Sequence, residues 1–227
     1  MLSILKADAF NNQKKEAKVA KVVTFANVKG GSGKSTLCIN MAAILIRAGY
    51  SVAILDSDQQ KCSHDWITGT KDNLLSRVEI IEPSDFNVAD DVEVDFLLVD
   101  TQGSLTKEMA QFLLQSSLII TPCRVSRDDI VGQGWIEVFL KQSNQNIKKA
   151  PILTVLNGVN KRSSILSHVI EQLKEDGVQV AETCISQRVC FAETNVNKIS
   201  VIGYNKQATK EIVDLTNEAL NLIKSEA

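Results

Sequence analysis

Residues 21–50, KVVTFANVKGGSGKSTLCINMAAILIRAGY, constrain the fold more than any other part of the chain. They open with a β-branched apolar run and pass through Gly30, Gly31 and Gly33. They then continue with Leu37, Met41, Ile44, Leu45 and Ala48 at helical spacing, with Gly49 placed to stop the helix. Strand, glycine loop and helix in this order make an anion site. Glycines let the backbone come close to oxygen atoms, and successive N–H groups and the helix dipole favour negative charge. Lys34 is placed to contact the β and γ phosphates of a nucleotide, and Ser35 to offer its hydroxyl to Mg²⁺. The loop departs from the usual spacing of Gly, four free positions, then Gly-Lys-Ser/Thr. Gly33, Lys34 and Ser35 fit the end, but Val28 stands where the first glycine belongs. Lys29 fills a position that is normally free.

Four further apolar runs, at 51–56, 96–100, 117–122 and 151–158, read as buried strands. Helical patterns are expected over 105–115, 129–142, 163–175 and 207–224. The alternation predicts an α/β fold: one doubly wound, mostly parallel sheet with helices on both faces. Residues 1–20 read as an N-terminal extension, too short for a helix-turn-helix domain, and 21–227 as one domain. A length of 227 residues with 44% hydrophobic content supports a sizeable core.

Charge and cysteine content exclude several classes. Lys plus Arg is 25 against 27 for Asp plus Glu, so nucleic acid is not bound by bulk charge and would need a local patch. Five scattered cysteines without a Cys-x-x-Cys pair, and only two histidines, do not make a zinc site; they suggest reduced, buried thiols. No apolar run reaches the roughly 18 residues of a membrane span. The start, MLSILKADAF, is broken by Lys6 and Asp8 and does not read as a signal peptide.

Two strands end in carboxylates. Asp100 closes FLLVD and precedes the glycine turn TQGS, at the sheet edge where parallel α/β folds bind ligands. It is a candidate for the metal side of a nucleotide site. Asp56 and Asp58 close ILDSDQQ; two positions apart on an extended chain, they face one side. One could support Mg²⁺ and the other could position a water.

Together these segments resemble the ParA/MinD family of P-loop NTPases. Lys29-Gly30-Gly31-Ser32-Gly33-Lys34-Ser35-Thr36 is similar to that family's deviant Walker A loop, ILDSDQQ to its second acidic motif and DFLLVDTQGS to its Walker B strand. The likeness runs on through 118–140, 155–173 and 184–194, and is greatest to the small plasmid-partition ParA proteins. The resemblance implies an ATP- and Mg²⁺-dependent ATPase that forms a homodimer when ATP is bound. Lys29 would reach the partner subunit's phosphates, with Lys34 and Thr36 binding phosphate in cis and Ser35 ligating the metal. Asp58 would be the hydrolytic aspartate, Asp56 would sit beside the metal, and Asp100 would hold it. Gln59 departs from the family, which has proline there, so the geometry of the Asp58 loop is open. Asn157 is the candidate for the adenine pocket.

The resemblance further implies non-specific DNA binding by the ATP form, a cytoplasmic, nucleoid-associated location and a small centromere-binding activator. Arg188 is the leading DNA candidate, with Lys161, Arg162, Lys198 and Lys206 behind it. A membrane role like that of the MinD branch is not expected. The tail has Ile212, Leu215, Ala219 and Leu222 at helical spacing, but Glu211, Asp214, Glu218 and Glu226 on its polar face would repel anionic lipid. An ATP-dependent metabolic ligase and an ATP-gated scaffold without turnover are the other readings.

Overall fold

The computed structural model describes residues 19–82, 92–126, 135–136, 138–139 and 150–225. The apolar runs form β1 (Lys21–Phe25), β2 (Val52–Asp56), β3 (Glu79–Ile81), β4 (Phe96–Asp100), β5 (Leu118–Cys123), β6 (Ile152–Val159) and β7 (Ile185–Ser186). They make a single seven-stranded sheet of order β3-β2-β4-β1-β5-β6-β7, with every pairing parallel. The expected fold class is therefore observed, with parallel pairing throughout the described strands. β3 and β7 escaped the sequence reading because three and two residues are too few for a periodic signal.

Helices α1 (Lys34–Arg47), α2 (Cys62–Thr68), α3 (Lys107–Gln115), α4 (Ser164–Glu175), α5 (Val189–Val196) and α6 (Lys206–Ser225) join the strands. The helix expected over 129–142 lies largely outside the described residues; Trp135, Ile136, Val138 and Phe139 within it are helical.

Alternation along the strands divides the core between the two faces. Val23, Phe25, Val52, Ile54, Phe96 and Leu98 pack in one cluster with Leu37, Met41 and Ile44 of α1 and Ile212, Leu215 and Ala219 of α6. Their neighbours Val22, Ala53, Leu55, Leu97 and Val99 pack on the other face with Phe112 of α3. A one-residue slip in any of these strands would exchange the two sets.

The helix ends follow local chemistry. Thr106 caps α3 by accepting from Met109 N at 3.1 Å, so α3 starts at Lys107. At the other end of α1, Gly49 takes φ +97, and Tyr50 N and Gly49 N bond back to Leu45 O and Ile46 O. This left-handed stop needs a residue without Cβ.

One part of the tail reading is corrected. α6 packs against α1 and β7, and Glu211 is buried at 6% exposure rather than lying on a solvated face. Glu218 also turns to the protein, accepting from Glu182 N and Thr183 N at 2.9 Å each. Among the described residues no helix is long and apolar enough to cross a membrane.

Candidate functional site

The carboxyl ends of β1, β2 and β4 meet at one edge of the sheet. Register places Asp56 directly beside Asp100, and Phe25 on the other side of Asp100. The glycine loop leaves β1 from this point.

Buried side chains hold the loop in shape. Asn27 donates from Nδ2 to Pro122 O at 2.6 Å and accepts from Lys29 N at 2.9 Å, which fixes the first turn between β1 and β5. Gly31 and Gly33 adopt φ +72 and +100. A Cβ on Gly33 would lie 2.1 Å from Asn157 Nδ2, which itself donates to Ser32 O at 2.7 Å. Asn157 thus braces the back of the loop as well as lining the cleft in front of it. A Cβ on Gly103 would come within 2.9 Å of Gly30 N, so the turn after β4 packs directly on the glycine loop.

The start of α1 is open to an anion. Gly33 supplies no side-chain cap, and the first turn holds no acidic residue. Its N–H groups are therefore available to a ligand. Lys34 is 6% exposed, with Nζ 3.4 Å from Lys29 O. Burial lowers the pKa of its ammonium, while the charges of Asp100 and Asp58 act in the opposite sense.

Asp100 is fully buried. Its Oδ2 accepts from Ser63 Oγ at 2.6 Å, and its Oδ1 has no hydrogen-bond partner. Burial pushes its carboxyl up to about 6, against the pull of the Ser63 and Ser35 hydroxyls and Lys34. A buried carboxylate oxygen without a partner is costly. The oxygen-only donor set suits Mg²⁺, which is held by one or two protein oxygens together with substrate phosphates. Ser35 and Asp100 would hold the ion, which would supply neutralisation of charge on the phosphate oxygens.

Asp56 is differently occupied. It lies beside Asp100, but Oδ1 accepts from Asp58 N at 3.0 Å and Oδ2 from His64 N at 2.9 Å. Its carboxylate fixes the turn that carries Asp58 and the start of α2. Asp58 faces the cleft and accepts from Gln60 N at 2.9 Å.

The cleft has a volume of about 760 Å³. Gly30, Gly31, Gly33, Lys34, Ser35, Thr36 and Asp58 line one side, and Ser186, Gln187, Arg188 and Phe191 the other, with Asn157 against the loop between them. Strand order explains this polarity. The carboxylates come from β2 and β4 on one side of β1, while the far wall comes from β6, β7 and α5 on the other. A nucleotide lying along this edge would have its phosphates at the glycine loop and its base toward the far wall.

Arg188, the leading DNA candidate, lines the cleft, with Nη2 held by Glu211 Oε1 at 3.1 Å. Lys161 meets the same Glu211 oxygen at 2.8 Å, and Ser186 donates to this carboxylate from both N and Oγ. Lys198 pairs with Asp65 at 2.9 Å, away from that cluster. Arg162 and Lys206 are exposed. The structure thus brings only Lys161 and Arg188 of the five DNA candidates together, on an acidic partner. The expectation for the thiols also needs one correction: Cys38, Cys123, Cys184 and Cys190 are buried, but Cys62 is exposed in the cleft wall.

A model of the CobQ/CobB/MinD/ParA nucleotide binding domain matches residues 23–201. The chain belongs to this family. Among its MinD/ParA relatives, maintenance of carboxysome distribution protein A of Halothiobacillus neapolitanus is 23% identical over 210 residues, covering 88% of this chain and 97% of the relative. Protein ParA of Rhizobium radiobacter is 24% identical over 179 residues, covering 75% and 80%. The structure of the septum site-determining protein MinD of Pyrococcus horikoshii, complexed with Mg-ADP, superposes with a TM-score of 0.70 at 17% identity, covering 92% of this chain and 99% of that one. Within this MinD/ParA-family chain, Asn27, Ser63, Gly103 and Arg124 join the site without having been anticipated. Asn27 and Gly103 sit beside recognised motifs, whereas Ser63 and Arg124 carry no local signal.

Proposed function

We propose that the chain is an ATPase that dimerises on binding Mg-ATP, binds DNA non-specifically as that dimer, and is released by hydrolysis, so that DNA is partitioned. The carrying observation is the pair of lysines in the loop. Lys34 is buried at the start of α1, where it meets phosphate in cis. Lys29 is exposed and lies outside the cleft wall that Gly30 and Gly31 form, which suits a contact with a second subunit's phosphates. Two ATP-bearing faces repel each other, and an ammonium from across the interface offsets that charge. Dimer affinity then depends on the γ-phosphate, and hydrolysis at Asp58 acts as the release step. A small centromere-binding protein stimulates that step, and the active form is cytoplasmic and nucleoid-associated.

Because Lys161, Arg188 and Lys198 are already paired with acids, the DNA contact rests first on exposed Arg162 and Lys206. A second reading has a specific support. The relative from Halothiobacillus is a carboxysome distribution protein, so the same ATP cycle could position a cargo other than a plasmid.

DNA binding measured with ATP, with ADP and without nucleotide, at two salt concentrations, tests the proposal. Binding is expected with ATP only, and to fall steeply as salt rises, because phosphate contacts release counterions. Binding that ignores nucleotide or salt contradicts it.

A further inference from the structure

Gln59 stands where the resembling family has a rigid proline, yet the turn after β2 is closely held. Asp58 N and His64 N are fixed by the Asp56 carboxylate, and Lys61 N donates to Asp58 O at 2.9 Å. Lys61 is the unusual member of this turn. It adopts φ 51 and ψ 38, a left-handed conformation that a residue with a Cβ takes only at a cost. Among the described residues only Lys198 shares a positive φ without being glycine. The conformation places the Lys61 ammonium 2.8 Å from Asp56 O, the last carbonyl of β2, and 3.4 Å from Glu82 Oε2, just beyond β3. His64 Nε2 lies 3.4 Å from the other Glu82 oxygen. One side chain therefore ties the Asp58 turn to the end of β2 and to the residue just after β3.

We propose that Lys61 is a positioning residue for hydrolysis: its ammonium, fastened to the Asp56 carbonyl and to Glu82, fixes the turn that aims Asp58 into the cleft. The proposal rests on the reading of Asp58 as the hydrolytic group. A glycine at position 61 would make the same turn without strain but could not tie it to the sheet. Lys61 thus keeps a local cost in exchange for a fixed Asp58. The Asp56 contact, at 2.8 Å, is the main anchor, and the half-exposed Glu82, at 3.4 Å, the orienting partner.

Single-turnover ATP hydrolysis, ATP affinity and melting temperature are to be measured for the full chain and for Lys61→Met, Lys61→Arg, Lys61→Gly, Glu82→Gln and Asp58→Ala. Lys61→Met is expected to slow hydrolysis about tenfold or more, since a small misplacement of a catalytic group has effects of this size. Its ATP affinity should stay within about twofold, because no phosphate contact is touched. Lys61→Arg should recover most of the rate, and Glu82→Gln should lose less than Lys61→Met. Lys61→Gly should melt no lower than the parent, its strain being relieved, and still hydrolyse slowly. A purely structural role would instead make rate follow stability. If Lys61→Met and Lys61→Gly turn over within twofold of the parent while Asp58→Ala is inactive, the positioning role is overturned alone. If Asp58→Ala hydrolyses normally, the reading of Asp58 fails, and the role of Lys61 fails with it.

Discussion

Replacing Asp100 by asparagine is expected to raise the melting temperature of the nucleotide-free protein by several degrees while lowering its affinity for Mg-ATP about a hundredfold. The opposite signs follow from one observation. Asp100 is completely buried, its carboxyl is pushed up to about 6 chiefly by loss of solvent, and one of its oxygens has no partner. Holding it ionised near pH 7.5 therefore costs the fold on the order of 3 kcal/mol. Asparagine keeps the volume and can still accept from Ser63, but carries no charge to desolvate. It cannot replace a carboxylate beside Mg²⁺. The pH dependence has a defined sign. The carboxyl is raised above its ordinary 3.8, so its contribution to stability is fully present below that value and lost as pH rises through about 6. Mg-nucleotide affinity should move the other way, weakening towards tenfold per pH unit below about 6 as a proton competes with the ion. Thermal melts and nucleotide titrations at pH 5 and pH 7.5, on parent and variant, check both. A variant that melts lower and still responds to Mg²⁺ contradicts the assignment of Asp100.

Gly33→Ala should be at least as damaging for nucleotide binding, by a different route. Position 33 has φ +100, which a residue with a Cβ adopts only under strain. The added carbon would also stand 2.1 Å from Asn157 Nδ2. That amide cannot move away without breaking its bond to Ser32 O. The loop loses its shape and its rear brace together, and its N–H groups leave the arc that wraps phosphate. ATP affinity is expected to fall at least about a hundredfold, with a stability loss of about 1–3 kcal/mol from the strained backbone. Ala at Gly30, whose Cβ would meet nothing within 4 Å, is the control for merely losing a glycine. Equal affinities for the two variants would refute the role of Asn157 as the loop's brace.

How far the sequence could be read depended on whether a feature is local. The Lys21–Phe25 strand, the glycine loop and α1 are contiguous, and the runs ending at Asp56 and Asp100 are buried on both faces, so periodicity and composition sufficed for them. β3 and β7 are too short for any period and exist because longer neighbours offer a pairing edge. The surroundings of Arg188 are set by pairing in the same way. The segment ISQRVCFAE carries one Arg and one Glu, and its place as a DNA face rests on the family resemblance alone. Pairing of Ile185 with Asn157 draws the segment to the cleft, and buried Glu211 holds the Arg188 charge. Ser63 reaches Asp100 across 37 positions, a relation that no local pattern encodes. Gln59 is the converse case. It reads as a weakened turn, and its compensation, the Lys61 contact to Asp56, appears only in three dimensions.

The departure of VKGGSGKS from the usual loop spacing gives the site one lysine more than a single nucleotide pocket requires. Solution mass, measured with ADP and with a non-hydrolysable ATP analogue for the parent chain and for Lys29→Gln, tests that point most directly. A dimer is expected only for the parent with the ATP analogue, and the Lys29→Gln protein should bind the analogue with similar affinity yet stay monomeric. A parent that remains monomeric with the analogue, or a Lys29→Gln variant that dimerises as readily as the parent, would contradict it.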